Sequence, residues 1–120
     1  NIGIGYSAGQ GITTGARNIA IGNSAYDASD TETDNIAIGF EAMTTNTAGG
    51  NQNVAIGSYT LDALTSADDC TAVGHGAGGS ITSGTKLTNL GSNAGTNMVG
   101  NGNSMCLGYN AQPSSNNVDN

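Results

Sequence analysis

The stretch Asn35-Ile36-Ala37-Ile38-Gly39-Phe40-Glu41-Ala42 recurs in altered form along the whole chain, and its reading decides the fold. The pattern N-[IV]-A-I-G-x-x-A returns around Asn1-Ile2-Gly3-Ile4-Gly5, Asn18-Ile19-Ala20-Ile21-Gly22 and Asn53-Val54-Ala55-Ile56-Gly57. It then drifts to Cys70-Thr71-Ala72-Val73-Gly74, Leu87-Thr88-Asn89-Leu90-Gly91 and Ser104-Met105-Cys106-Leu107-Gly108, keeping an aliphatic residue followed by glycine. The glycines Gly5, Gly22, Gly39, Gly57, Gly74, Gly91 and Gly108 stand 17, 17, 18, 17, 17 and 17 residues apart.

So constant a period marks a solenoid, whose repeats bury their apolar surface only against one another. Seventeen residues leave no room for a helical hairpin, which needs roughly 33 residues or more, and the motif alternates with period two. The reading is all-β: a parallel β-solenoid of seven coils of about 17 residues, one repeat domain over residues 1–120. In each strand the bulky residues project to one face and the asparagine and alanine to the other. The expected core is therefore Ile2, Ile4, Ile19, Ile21, Ile36, Ile38, Val54, Ile56, Val73, Leu90 and Leu107, with the seven glycines at the turns, where positive φ costs glycine nothing. Seven coils at strand spacing give a rod of roughly 33 Å.

Each coil leaves room for a second short strand, as in Gly11-Ile12-Thr13-Thr14-Gly15. Its central slot is apolar only at Ile12, Leu64, Ile81 and Met98, against Ser29, Asn46 and Ser115. Residues 28–34 read as an exposed loop. The slot three residues after each glycine is alanine except at Thr60, which suits a tight bend. The one-residue insertion falls in 47–52, and Gln112-Pro113-Ser114-Ser115-Asn116-Asn117 reads as a rim loop. Asn1, Asn18, Asn35 and Asn53 share one slot, where stacked amides can hydrogen-bond along the axis.

The net charge of −7, with Arg17 and Lys86 the only Lys or Arg, argues against nucleic acid and anionic membranes as partners. No apolar run is long enough to span a membrane. Asp27, Asp30, Glu32 and Asp34 cluster in one loop and Asp68 with Asp69 in another. Such loops could trap calcium, but the glycine-aspartate repeat of calcium-binding rolls is absent, and no metal or cofactor site is expected.

Gly3-Ile4-Gly5-Tyr6-Ser7-Ala8 imitates a dinucleotide fingerprint, but it is a repeat slot with no helix after it. Gly79–Lys86 imitates a phosphate loop with its lysine misplaced. His75 occupies a turn slot shared with Tyr6, Asn23, Phe40, Ser58, Ser92 and Tyr109, and lacks companions for a metal. Cys70 and Cys106 belong to coils five and seven, about 9–10 Å apart on strand spacing, beyond the roughly 7 Å a disulfide spans. No activated nucleophile can be assembled, so no catalytic residue is assigned and the chain reads as non-enzymatic. Tyr6, Phe40 and Tyr109 form a sparse aromatic column suited to edge packing, or to a glycan.

These motifs resemble the head repeat of YadA-like trimeric autotransporter adhesins, over all seven repeats, although those coils are often shorter. Runs such as 35–42 and Thr44-Thr45-Asn46-Thr47 resemble the longer-coiled form in bacteriophage tail-fibre and other virion proteins. The resemblance implies a left-handed β-roll, a homotrimer, and a place on a virion or another extracellular surface. In such fibres a chaperone region often follows, and Ser104–Ala111 with Asn117-Val118-Asp119-Asn120 look like the stretch before it. The chain starts and stops at repeat boundaries, as an internal or processed piece of a longer fibre would.

Burial argues independently for an oligomer. Two or three large apolar residues per coil, at about 25 cal/mol per Å², offset poorly the roughly 1–2 kcal/mol of backbone entropy per residue. The small-residue faces Ala20, Ala37, Ala55, Ala72 and Cys106 are the expected contact around a trimer axis. The expected function is a stiff section of a phage tail fibre, with the chain itself as partner and a host-surface glycan or protein as a further one. The alternative is a cell-surface adhesin head binding matrix or glycans. An ice-binding solenoid would need a regular threonine array, which Thr13, Thr14, Thr44, Thr45, Thr65, Thr82 and Thr85 do not form.

Overall fold

The computed structural model describes residues 1–45, 49–98 and 102–113. Asn46, Thr47, Ala48, Ser115, most of the rim loop and Asn117–Asn120, on which sequence expectations were placed, lie outside the described residues. Seven three-residue strands follow one another: β1 (Ile2–Ile4), β2 (Ile19–Ile21), β3 (Ile36–Ile38), β4 (Val54–Ile56), β5 (Thr71–Val73), β6 (Thr88–Leu90) and β7 (Met105–Leu107). They form one parallel sheet in sequence order, a β-solenoid of about six turns. The register carries Ile19 onto Ile36, Ala20 onto Ala37 and Ile21 onto Ile38, then Ala37 onto Ala55 across the insertion. The molecule measures 38 × 22 × 16 Å.

Stacking continues beyond the strands. The N–H of Glu41 donates to the Asn23 carbonyl at 3.0 Å and that of Tyr59 to Phe40 at 2.9 Å; around the corner, Met43 N–H donates to Thr60 at 3.0 Å. Each coil thus meets its neighbour's backbone on several sides, as buried peptide groups require.

Three recurring slots hold residues with positive φ whatever their type. One precedes the asparagine slot (Arg17, Asp34, Gln52, Asp69, Lys86), one follows the turn glycine (Ser24, Glu41, Tyr59, Asn93), and one fills the next corner (Tyr26, Met43, Leu61). A left-handed non-glycine residue costs roughly 1–2 kcal/mol, and the stack imposes it at each corner.

Among the described residues the second strand does not form, and the return side holds one isolated bridge, Thr85 with Gly102. The cause is local. The N–H groups of Thr13, Thr14 and Gly15 all converge on the Asp30 carbonyl, at 2.9, 3.1 and 3.1 Å, which closes a turn instead of extending a ladder. The apolar residues of that slot still point inward: Leu64, Ile81 and Met98 are fully buried, and so is Ser29.

The expected core is inverted. Ala20, Ala37, Ala55, Ala72 and Cys106 face the interior, together with the bend alanines Ala25, Ala42, Ala77 and Ala94. Ile2, Ile4, Ile56, Leu90 and Leu107 are exposed, and Ile19, Ile21, Ile36, Ile38, Val54 and Val73 are half-buried. The physical reason is width. Tyr26, Met43, Leu61, Leu64, Ile81 and Met98, all outside the strands, fill the interior as well, and mostly small side chains fit against them. The bend slot behaves as expected: Thr60 is buried like the alanines, its hydroxyl donating to the Gly74 carbonyl at 2.7 Å.

The asparagine side-chain amides do not bond to one another; those of Asn1, Asn18 and Asn35 each accept the backbone N–H of the asparagine one coil on. Each side chain ties two backbones together: Oδ1 of Asn18 accepts the N–H of Asn35 at 2.9 Å, while its Nδ2 donates to the Glu32 carbonyl at 2.7 Å. Asn53 repeats this with the N–H of Cys70 and the carbonyl of Ala67. In the next coil the Cys70 thiol replaces the amide as donor, reaching the Gly84 carbonyl at 3.4 Å. Burial pushes this thiol up to about 11, so it keeps its proton at neutral pH.

Asn89, in the alanine column of β6, breaks the pattern. It is 1% exposed, and neither Oδ1 nor Nδ2 has a hydrogen-bond partner. Its amide fills space that Gly78 and Gly95 leave in the corner slot where other coils place Tyr26, Met43 and Leu61. A buried unpaired amide costs about 1–3 kcal/mol. Asn89→Leu, which keeps the branched heavy-atom skeleton without the polar atoms, is expected to raise stability by about 1–2 kcal/mol, read as a higher urea midpoint with unchanged slope. A lower midpoint would mean that the amide has a partner.

Candidate functional surface

The outward side of the sheet is the most distinctive surface. Because alternate residues share a face, Ile2, Ile19, Ile36 and Val54 form one column and Ile4, Ile21, Ile38, Ile56, Val73, Leu90 and Leu107 a second beside it. Exposure within the columns ranges from half-buried in the middle coils to 59% at Ile4 and 66% at Leu107. The result is one apolar stripe running the length of the stack, the kind of surface that marks a contact with another molecule. The residues expected to line the core thus do come together, on the outer wall.

The seven glycines sit at the corner beside this stripe, with φ between 115° and 143°. From Gly5 to Gly91, a β-carbon would run into the carbonyl of the glycine one coil on. The glycine column therefore sets the coil-to-coil approach as well as the turn.

The aromatic column differs from the expected one. Tyr6 and Tyr109 stand exposed at opposite ends of the stack, whereas Phe40 meets Tyr59 edge-on, with ring centroids 5.3 Å apart, and Tyr59 meets His75 in the same way at 5.7 Å. Tyr59 was not singled out from the sequence because it lies one slot later than Phe40 and His75. The result is an exposed three-ring strip across coils three to five, bordering the apolar stripe.

The acidic loops are engaged internally. Glu32 turns inward, and its carboxylate accepts the N–H groups of Asp30 at 3.0 Å, Thr31 at 3.1 Å and Gly49 at 2.9 Å. Asp34 pairs with Arg17 at 2.5 Å, a contact that holds its carboxyl below the usual range although both groups are open to solvent; such surface pairs contribute little to stability. Asp68 accepts the Asn51 N–H at 2.7 Å. Among the described residues no three His, Cys, Asp or Glu side chains are grouped to hold a metal ion. Cys70 and Cys106 are free and buried. Among the described residues no helix is long and apolar enough to cross a membrane. A cleft of about 230 Å³ opens at the end of the stack beside β1, lined by Ile2, Ala8, Gly9 and Ile12 among others; these are slots that the next coil would cover.

No family model, no curated protein and no solved structure matches the chain.

Proposed function

We propose that the chain is a rigid section of a fibre, in the manner of a bacteriophage tail fibre, and that three copies wind about a common axis as left-handed rolls of about 17 residues per coil. The observation that carries this reading is the aliphatic stripe on the outer wall of the sheet. It stands where the sequence expectation had put alanines, so the contact between copies is made by Ile21, Ile38, Ile56 and their column mates. Burying an aliphatic side chain gives about 1.5–3 kcal/mol, and a two-column stripe multiplies that gain for each copy. The function is then geometric: a narrow rod that holds its ends apart, with loops and the Phe40, Tyr59 and His75 strip at its rim to meet a host-surface glycan or protein.

Sedimentation of the 120-residue chain tests the oligomer. The expected mass is three times the 11.8 kDa of one chain at micromolar concentration. Ile38→Asp puts one carboxylate per copy at the shared axis, where burial of an unpaired charge costs several kcal/mol. It should yield monomers, while a substitution at the remote, exposed Thr14 leaves the mass unchanged. A compact, stable wild-type monomer would end this reading.

A further inference from the structure

We propose that Thr71 and Thr88 fix the axial register of the three copies: two layers of hydroxyls within an aliphatic contact hold the copies level, not one coil out of step. This rests on the reading of the outer wall as the contact between copies. The first column of that wall runs Ile2, Ile19, Ile36, Val54, Thr71, Thr88 and Met105, so the two threonines are register partners on β5 and β6. Beside them the second column stays aliphatic, with Val73 and Leu90.

Threonine keeps the branched shape of valine, so neither strand formation nor packing asks for its hydroxyl. Elsewhere in the stack threonine hydroxyls serve the fold. Those of Thr13, Thr60 and Thr65 donate to the carbonyls of Asp30, Gly74 and Thr82, each one coil on. The hydroxyls of Thr71 and Thr88 make no such bond, and both residues are exposed.

The occupant of this wall is a second and third copy of the chain. A stripe that repeats at coil spacing is matched along its whole length by a partner of the same pitch. Charge points the same way: no residue of the seven strands is charged, whereas each chain carries −7 in all, so the wall adds no charge of its own to the contact between copies. About a threefold axis, Thr71 of every copy comes to one level and Thr88 to the next, about 4.8 Å away. Each hydroxyl then donates to one neighbour and accepts from the other, which closes a ring. Slippage by one coil leaves Ile21, Ile38 and Ile56 facing identical residues, so the aliphatic layers do not resist it. It does set threonine hydroxyls against Val54 and Met105, where desolvated donors go unpaired. A single polar layer fixes the register of coiled coils by the same logic, at some cost in stability.

The test is disulfide trapping in the full chain, in a thiol–disulfide buffer that lets pairings equilibrate. Ile38→Cys and Ile56→Cys chains, distinguished by mass, are mixed; their new thiols lie one coil apart in register. Level copies join like chains, and copies one coil out of step join unlike ones. Like pairs should exceed unlike pairs by about tenfold or more. Adding Thr71→Val and Thr88→Val should bring the ratio down to random pairing, while Thr71→Ser with Thr88→Ser should keep it. Circular dichroism checks each fold, and sedimentation separates register from assembly, since the valine variant should remain a trimer. A preference for like pairs that survives in a trimeric valine variant, or is missing from a trimeric wild type, would overturn the register role and leave the trimer standing. A monomeric wild type would remove both.

Discussion

Gly39→Ala is expected to abolish cooperative folding of the stack. An added β-carbon would lie 2.5 Å from the carbonyl carbon of Gly57 and 2.9 Å from the Ser58 nitrogen, with the Gly57 oxygen nearer still. All three are backbone atoms pinned by coil stacking: Gly57 N–H donates to the Ile38 carbonyl at 2.7 Å and Ile36 N–H to Asn53 at 2.8 Å. The coils cannot separate without breaking those bonds. The backbone at Gly39, with φ of 143°, is also one that a side chain rarely adopts. Steric and conformational costs together exceed about 4 kcal/mol, a large share of the 5–15 kcal/mol that holds a domain of this size.

Two other glycines separate these costs. Gly108 has a φ of 115° but nothing within 4 Å of its would-be β-carbon, so Gly108→Ala meets the conformational cost alone. At Gly79 the nearest atom is the movable Asp62 carboxylate at 3.0 Å, and φ is not positive; Gly79→Ala should shift the midpoint by less than about 1 kcal/mol. The measurement is urea denaturation followed by circular dichroism, at matched chain concentration. The glycine column is misread if Gly39→Ala proves as mild as Gly79→Ala.

What the sequence disclosed and what it withheld divide along physical lines. The period, the strand positions and the register were all legible, because a residue that recurs every seventeenth place must stack on itself to gain anything from recurring. The two faces of Ile36-Ala37-Ile38 were legible too, but not which of them pointed inward. Alternation defines sides, and only the bore of the coil decides between them. That bore is set by Tyr26, Met43 and Leu61, whose corner slot carries no repeated letter. The left-handed corners were hidden for a related reason: Tyr26, Arg17 and Lys86 have no intrinsic taste for positive φ, and the stack overrides their preference. The candidate surface was therefore present in the sequence as a list of the right residues assigned to the wrong side.

Asn35→Ala is expected to cost about 3–5 kcal/mol, the largest effect of any polar substitution in the stack. Asn35 is fully buried; its Oδ1 accepts the Asn53 N–H at 2.8 Å, and its Nδ2 donates to the Tyr26 hydroxyl at 2.6 Å and to the Gly50 carbonyl at 2.9 Å. Alanine removes all three bonds, takes away the acceptor of a buried backbone donor, and leaves a void. Asn35→Asp tests the roles of the two amide atoms. The new carboxylate still accepts from Asn53 but cannot donate, and its charge is buried beside the Gly50 carbonyl, which raises its folded-state pKa above the unfolded value. The sign follows. A raised carboxyl pKa means that the folded form holds its proton longer, so the variant's stability relative to wild type is greatest below the unfolded pKa of about 3.9 and is lost as pH climbs through the folded value. The protonated carboxyl can again donate, towards Gly50 or Tyr26. Denaturant midpoints of the two proteins should therefore converge near pH 4 and separate towards pH 7, whereas Asn35→Ala should stay equally far below wild type at both. Were the Asn35→Asp deficit independent of pH, the Nδ2 bonds would not be what ties the start of coil three to Tyr26 in coil two and to Gly50 at the coil's own end.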